Sequence, residues 1–253
     1  MTVPQPLNSY QARPGLLQDK IIFLTGATGA IGRAVALAAA AHGAQLILSG
    51  RKPRALEALC DEIEALPGAP RPPRAVPINL EGAGLADYEQ IAEVINHEYG
   101  RLDGLVANAA VLGQLTPVAS FDPVLWARIF QVNLHSVFLM TQAFLPLLRA
   151  AASASVVMTS SSVARKPRAF WGAYAASKAA MESMAGMLAD ELASTGVRVN
   201  TLNPLATRSP MRALAYPAED PSHIPAPESV APAFLFLLGD DSHAITGQQL
   251  DAR

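Results

Sequence analysis

One cysteine, Cys60, stands in a chain of 253 residues, so neither an intramolecular disulfide framework nor a multi-cysteine metal site can be built. A reducing, cytoplasmic setting fits that scarcity. Charge is sparse too: acidic and basic side chains make up 16% of the residues and leave a net charge of −2. Such a chain lacks the basic field that nucleic-acid binding uses, and no nucleic-acid partner is expected. Met1 to Lys20 is polar and dotted with proline, without the apolar core of a signal peptide. The longest uncharged run, Ile129 to Leu148, is twenty residues, enough to span a bilayer. It holds Gln131, Asn133, His135, Ser136, Thr141, Gln142 and Pro146, so a buried helix is expected and no membrane partner. The five histidines show no ligand spacing, and no metal is expected.

Apolar material is plentiful, at 51% of the residues, much of it alanine. With so little charge, that composition argues against disorder. The length allows one large α/β domain or two small ones. Short apolar runs predict strands at Ile21–Leu24, Gln45–Leu48, Val76–Leu80, Leu102–Ala107, Ser155–Thr159 and Val197–Leu202, with a last one near Gln248–Asp251. Between them, helices are expected at Ile31–His42, Pro53–Leu66, Asp87–Tyr99, Pro123–Leu148, Gly172–Ser194 and Glu228–Leu238. Strands alternating with helices at this spacing mean βαβ units and one parallel sheet. Residues 1–19 read as a loose N-terminal extension ahead of a single domain over 20–253, and the proline-dense Pro67 to Pro77 reads as a loop. Arg208 to Pro227 lacks a regular pattern, and loops of that length are usually functional or mobile.

Thr25-Gly-Ala-Thr-Gly-Ala-Ile-Gly32 falls where the first strand turns into the first helix. Gly26 permits a tight turn, Gly29 keeps side chains away from a pyrophosphate, and Gly32 lets helix and strand pack closely. The free N–H groups at the helix start then meet phosphates, which points to a dinucleotide. After the second strand an NAD site places a carboxylate for the ribose hydroxyl, but this chain has Ser49-Gly50-Arg51-Lys52. A 2′-phosphate would find Arg51 as a fork and Ser49 as a donor, so NADP(H) is favoured over NAD.

Tyr174 and Lys178 are four residues apart and share one face of a helix. A phenol is a poor acid–base at neutral pH, and an adjacent ammonium is expected to bring its pKa down. Thirteen residues before Tyr174, Ser161 stands at the C-terminal end of the fifth strand, where ligands of an open parallel sheet bind. Ser161 or its neighbour Ser162 would hold a carbonyl oxygen opposite the tyrosine.

These motifs resemble the short-chain dehydrogenase/reductase superfamily in its shorter, single-domain branch, over Lys20 to Asp251. The resemblance implies a doubly wound Rossmann-type α/β fold, one parallel sheet with helices on both faces, and hydride transfer between a nicotinamide cofactor and a carbonyl or alcohol. Tyr174 would be the general acid for reduction, Lys178 would bond the nicotinamide ribose, and Ser161, favoured over Ser162 by the family spacing, would polarise the carbonyl. Asn133 matches the family's helix asparagine that holds a proton-relay water. Cofactor contacts are implied for Gly26, Thr28, Gly29, Ile31, Gly32, Ser49, Arg51, Asn79, Leu80, Asn108, Ala109, Tyr174, Lys178, Pro204 and Ser209.

Several positions depart from the family pattern. Ala30 replaces the middle glycine of the motif, Asn108 is the one asparagine kept after the fourth strand, and Asn79 replaces an aspartate. Leu205 replaces the glycine after Asn203-Pro204, and Ser209 replaces a threonine. Arg208 to Pro227 corresponds to the family's substrate lid, with Met211, Leu214 and Tyr216 as apolar contacts. Arg165, Lys166 and Arg168 beside Phe170 and Trp171 suggest a cationic rim with aromatic walls. Small residues on the Tyr174 helix fit a homodimer or homotetramer that pairs it with the helix bearing Asn133. An epimerase using bound NAD and a silent nucleotide sensor of the same fold are the competing readings.

Overall fold

The computed structural model describes residues 6–67 and 72–253. Residues 1–5 of the N-terminal extension and 68–71 of the proline-dense loop lie outside the described residues. Strand β1 (Ile21–Thr25) leads into helix α1 (Ala30–Ala41), followed by β2 (Gln45–Gly50), α2 (Pro53–Glu64), β3 (Arg74–Pro77), α3 (Leu85–Tyr99) and β4 (Gly104–Ala107). The second half carries α4 (Pro123–Phe130), α5 (Ser136–Ala150), β5 (Ala154–Thr159), the single turn α6 (Ser162–Arg165), α7 (Gly172–Glu191) and β6 (Val197–Asn203). Helices α8 (Pro210–Ala215) and α9 (Ala231–Leu238) and strand β7 (Gln249–Asp251) complete it.

All seven strands are parallel, in the order β3-β2-β1-β4-β5-β6-β7. The chain runs outward in one direction from β1 and in the other from β4, the doubly wound arrangement that opens a crevice between their C-terminal ends. Alternate strand residues serve opposite layers, which is why the strands read as unbroken apolar runs. Ile22, Leu24, Leu46 and Leu48 face a core shared with α1, α2 and α9. Ile21, Phe23, Ile47 and Val156 face the core beneath α3, α5 and α7.

Four expectations are corrected. The opening residues are not loose from Leu7 onward. Leu7, Leu16 and Leu17 are buried in the first core, and the Asn8 N–H donates to the Ala252 carbonyl at 2.7 Å. Strand β3 begins at Arg74, inside the stretch read as a loop, and ends before Asn79, because its pairing with Ile47–Gly50 is made by backbone rather than by apolar side chains. The long helix expected over 123–148 is not α-helical throughout: it continues to Ala150 but holds a π-helical turn at Gln131–His135. The patternless stretch 208–227 contains α8 and a 3₁₀ turn at Pro221–His223, each started by a cap: Ser209 accepts from the Arg212 N–H, and Asp220 from the Ser222 N–H.

Candidate active site

The crevice between the strand ends is a cavity of about 900 Å³. At one end the turn after β1 makes its floor. Gly26 has φ +64°, and a Cβ there would sit 2.9 Å from the Ala109 Cα. At Gly32 a Cβ would lie 2.1 Å from the Gly26 carbonyl oxygen, so helix α1 can approach the turn only without a side chain. The N-terminus of α1 therefore opens on the cavity, a cradle of free N–H groups suited to phosphate. Thr28, Gly29 and Ile31 line this end with Asn79 and Leu80. Thr25 Oγ1 accepts from the Asn108 and Ala109 N–H groups at 3.0 Å, and Asn108 Nδ2 donates to the Thr25 carbonyl at 3.2 Å, so these residues tie β4 to β1.

Ser49 is buried at the end of β2, with Arg51 and Lys52 beyond it on the cavity wall. Arg51 Nη1 stands 3.6 Å from Glu81 Oε1, which also accepts from Arg128 Nη2 at 2.7 Å. No carboxylate projects from the strand end itself, so a ribose phosphate would meet cations there.

The other end is assembled from β5, the loop after β4, α7 and α8. Ser161, Tyr174 and Lys178 all line the cavity, as do Pro204 and Ser209. Ser162 lines the cavity as well, and its Oγ accepts from Asn203 Nδ2 at 3.1 Å. Burial pushes the Tyr174 hydroxyl up to about 12, and hydrogen bonding with Ser161 pulls the other way. Lys178, 1% exposed, is pushed down to about 8 by burial, with Glu182 opposing that fall. Its Nζ donates to the Thr159 carbonyl at 2.6 Å. The expectation that Lys178 draws the tyrosine pKa down is thus not met: the ammonium is engaged on a backbone carbonyl, and desolvation of the phenol dominates.

Asn133 sits in the π turn with both side-chain N–H groups and its oxygen engaged. Oδ1 accepts from the Val111 N–H at 2.8 Å, while Nδ2 donates to the Val111 carbonyl at 3.0 Å and to Ser177 Oγ at 3.1 Å. It binds the loop after β4 to the helix that carries Tyr174 and Lys178.

Leu112, Val163, Tyr174 and Ala175 form a small apolar cluster with Trp171, Met211 and Ala215 against it. The Trp171 ring lies 5.9 Å from Tyr174 and 5.8 Å from Tyr216. Three rim expectations are corrected here. Phe170 is 55% exposed at φ +75° and Leu214 is 74% exposed, both turned to solvent. Arg165 is drawn off to Asp251 and Glu182. Arg168 remains at the cavity, with Nη1 3.4 Å from the Tyr216 hydroxyl. Leu205 occupies φ +60°, the left-handed region that explains glycine at this turn in relatives of the resembling family.

Sequence reasoning passed over Thr159, Ser160, Glu81, Thr207 and Glu182, which line or brace this cavity. For Glu182 a signal was available: an acid one helical turn after Lys178 in an alanine-rich helix. Among the described residues, no helix is long and apolar enough to cross a membrane. None of their His, Cys, Asp and Glu side chains form a group of three fit for a metal ion.

Residues 20–220 match the family model of the short chain dehydrogenases. The oxidoreductase YciK of Escherichia coli K12 is 43% identical over 96% of each chain. A short chain dehydrogenase from Pseudomonas syringae superposes with a TM-score of 0.94 at 46% identity, covering 97% of this chain and 99% of that one. A short chain dehydrogenase from Shigella flexneri 2a, solved with NADP, gives 0.92 at 42% identity over 95% and 99%. With the sheet order, the glycine turn and the serine–tyrosine–lysine wall on one crevice, the chain belongs to the short-chain dehydrogenase/reductase family of oxidoreductases.

Proposed function

We propose that the protein transfers hydride between NADP(H) and a small carbonyl or alcohol substrate, with Ser161, Tyr174 and Lys178 at the reacting centre. The observation that carries this reading is the shared wall: Ser161 and the Tyr174 hydroxyl face the cavity at the end opposite the glycine turn. The residues fit the cofactor. The Gly26 and Gly32 sites leave room that a Cβ would fill, and Ser49 and Arg51 suit a 2′-phosphate better than a free ribose hydroxyl. The NADP held by the Shigella flexneri relative supports the same choice. Thr28, Gly29 and Ile31 would hold the pyrophosphate, Asn79 and Leu80 the adenine side, and Asn108, Ala109, Pro204 and Ser209 the nicotinamide half.

When bound, the nicotinamide supplies or accepts the hydride. Ser161 donates to the substrate carbonyl oxygen and orients it. Tyr174, whose burial keeps its proton at neutral pH, is ready to give that proton to the developing alkoxide, which is the reduction direction. Lys178 holds a positive charge beneath the site and bonds the ribose. Asn133 contributes by fixing the Val111 loop against α7. The 208–227 segment, with Met211 and Tyr216 facing inward, covers the substrate and limits water. Self-association as a dimer or tetramer through α5 and α7 is supported by exposed Phe138 and Met187 on those helices and is read by light scattering of the eluted protein.

Assaying NADPH oxidation over a panel of aldehydes and ketones tests the reading. Tyr174→Phe is expected to lower kcat by about 10²- to 10⁴-fold while NADPH still binds. Absence of wild-type turnover with every carbonyl, despite NADPH binding, would favour a silent nucleotide-binding protein instead.

A further inference from the structure

Glu182 is 4% exposed on the inner face of α7, one helical turn beyond Lys178. An alanine-rich helix packed on a sheet has no packing need for a carboxylate there, and burying one is costly unless it is held by donors and cations. It is held. Ser160 Oγ, in the residue before Ser161, donates to Glu182 Oε1 at 2.5 Å. Arg165 Nε, from α6, stands 3.6 Å from the same oxygen. Arg165 is in turn paired with Asp251 on β7, which accepts from Asn203 Nδ2 at 2.8 Å. The titratable and charged groups around Glu182 are thus Lys178 on its own helix and Arg165 from α6. Asp251 stands behind Arg165.

We propose that Glu182 is a positioning residue that locks the Ser160–Ser161 strand end against α7 and sets a buried carboxylate one helical turn from Lys178. The inference rests on the reading of Ser161, Tyr174 and Lys178 as the reacting groups. The hydrogen bond to Glu182 fixes the chain at the serine, and a carboxylate one helical turn away favours the protonated lysine. Burial alone drives the amine toward its neutral form, and a neutral amine would not hold its place by charge. Glu182 is the acid that counters this.

The chain has four lysines, Lys20, Lys52, Lys166 and Lys178, so lysine labelled with ¹³C at Cε gives a spectrum in which each can be titrated in the whole protein. The midpoint for Lys178, assigned by its loss in Lys178→Met, is expected near 8 in the wild type. Glu182→Gln should lower it by about one unit, and Glu182→Asp should return it toward the wild-type value. Arg165→Met, which removes a cation near the surface, should raise it. Lys20 and Lys52 should not move in any variant. The alkaline limb of NADPH-dependent carbonyl reduction should shift in the same direction as Lys178 in each variant. An unchanged Lys178 midpoint in folded Glu182→Gln overturns the proposal. If that variant does not fold, an unchanged or lowered midpoint in Arg165→Met overturns it. Lysine titration needs no turnover, so a protein inactive on all carbonyls would remove the hydride-transfer reading while the Glu182 proposal is still decided.

Discussion

The two ends of the crevice are built from different materials. At the nucleotide end, missing side chains set the shape: Gly26 and Gly32 leave backbone free to approach, and the exposed Arg51 supplies charge in solvent. At the end that holds Ser161 and Tyr174, Thr159, Ser160, Lys178 and Glu182 from the end of β5 and from α7 are buried together, and their charges are set by desolvation and by one another. The first end is a steric device and the second an electrostatic one. Substitutions should therefore divide, with volume deciding at one end and charge at the other.

Gly32→Val challenges that division most severely. With a Cβ 2.1 Å from a backbone oxygen, overpacking should cost at least about 3 kcal/mol and abolish NADPH binding, as read by thermal unfolding and fluorescence titration. A folded variant with normal affinity would break the steric account. Arg51→Met isolates charge at the steric end. NADPH affinity should fall about 10- to 100-fold through loss of a charge-assisted bond, with NADH affinity unchanged. Equal weakening of both cofactors would show that Arg51 does not read the 2′-phosphate.

Lys178→Met tests the electrostatic end through stability. Lys178 falls from the ordinary 10.5 to about 8 in the folded protein, so between those values the unfolded chain binds more protons than the native one. Native stability must then rise with pH across that window, and the burial penalty is fully present below pH 8. The variant, though inactive, should be more stable at pH 7 by about 1–2 kcal/mol, the penalty less the unmade bond to Thr159. The gap should close toward pH 10.5 in denaturant titrations. A gap independent of pH would place the strain elsewhere. The smallest effect is expected for Leu205→Gly, which relieves a left-handed leucine at φ +60°. The gain is about 0.5 kcal/mol after the entropy of glycine is set against it. Destabilisation would mean that the leucine side chain packs well enough to outweigh its backbone.

The same contrast governs what could be read from the sequence. Strands β1, β2, β5 and β6 were legible because burial on both faces makes them continuous apolar runs. β3 was legible only at Val76 and Pro77, and its bounds were displaced, because its Arg-Ala-Val-Pro lies half exposed at the sheet edge and is defined by backbone pairing. Gly26 and Gly32 were legible since a turn and a close contact each demand glycine. The π turn at Asn133 follows from tertiary bonds to Val111 and Ser177, which no local pattern encodes. The tyrosine and lysine spacing was legible, but the state of those groups was not. The direction in which Tyr174 shifts depends on how completely the lid and Trp171 exclude water. The Arg165 and Leu214 side chains read as pocket groups and turned out to serve a surface ion pair and solvent.

The Asn8 N–H to Ala252 carbonyl bond joins segments that leave the ribosome far apart in time. At about 5–20 residues per second, the interval between them is roughly 10–50 s. Throughout that interval Leu7, Leu16 and Leu17 have no complete core to enter, and strand β7, with the Asp251 that steadies Arg165, does not yet exist. The newborn chain therefore carries an adhesive segment over residues 7–17 and an unfinished wall at the crevice until residues 249–252 are made. Demand for chaperones should be concentrated in that period rather than in any weakness of the finished fold.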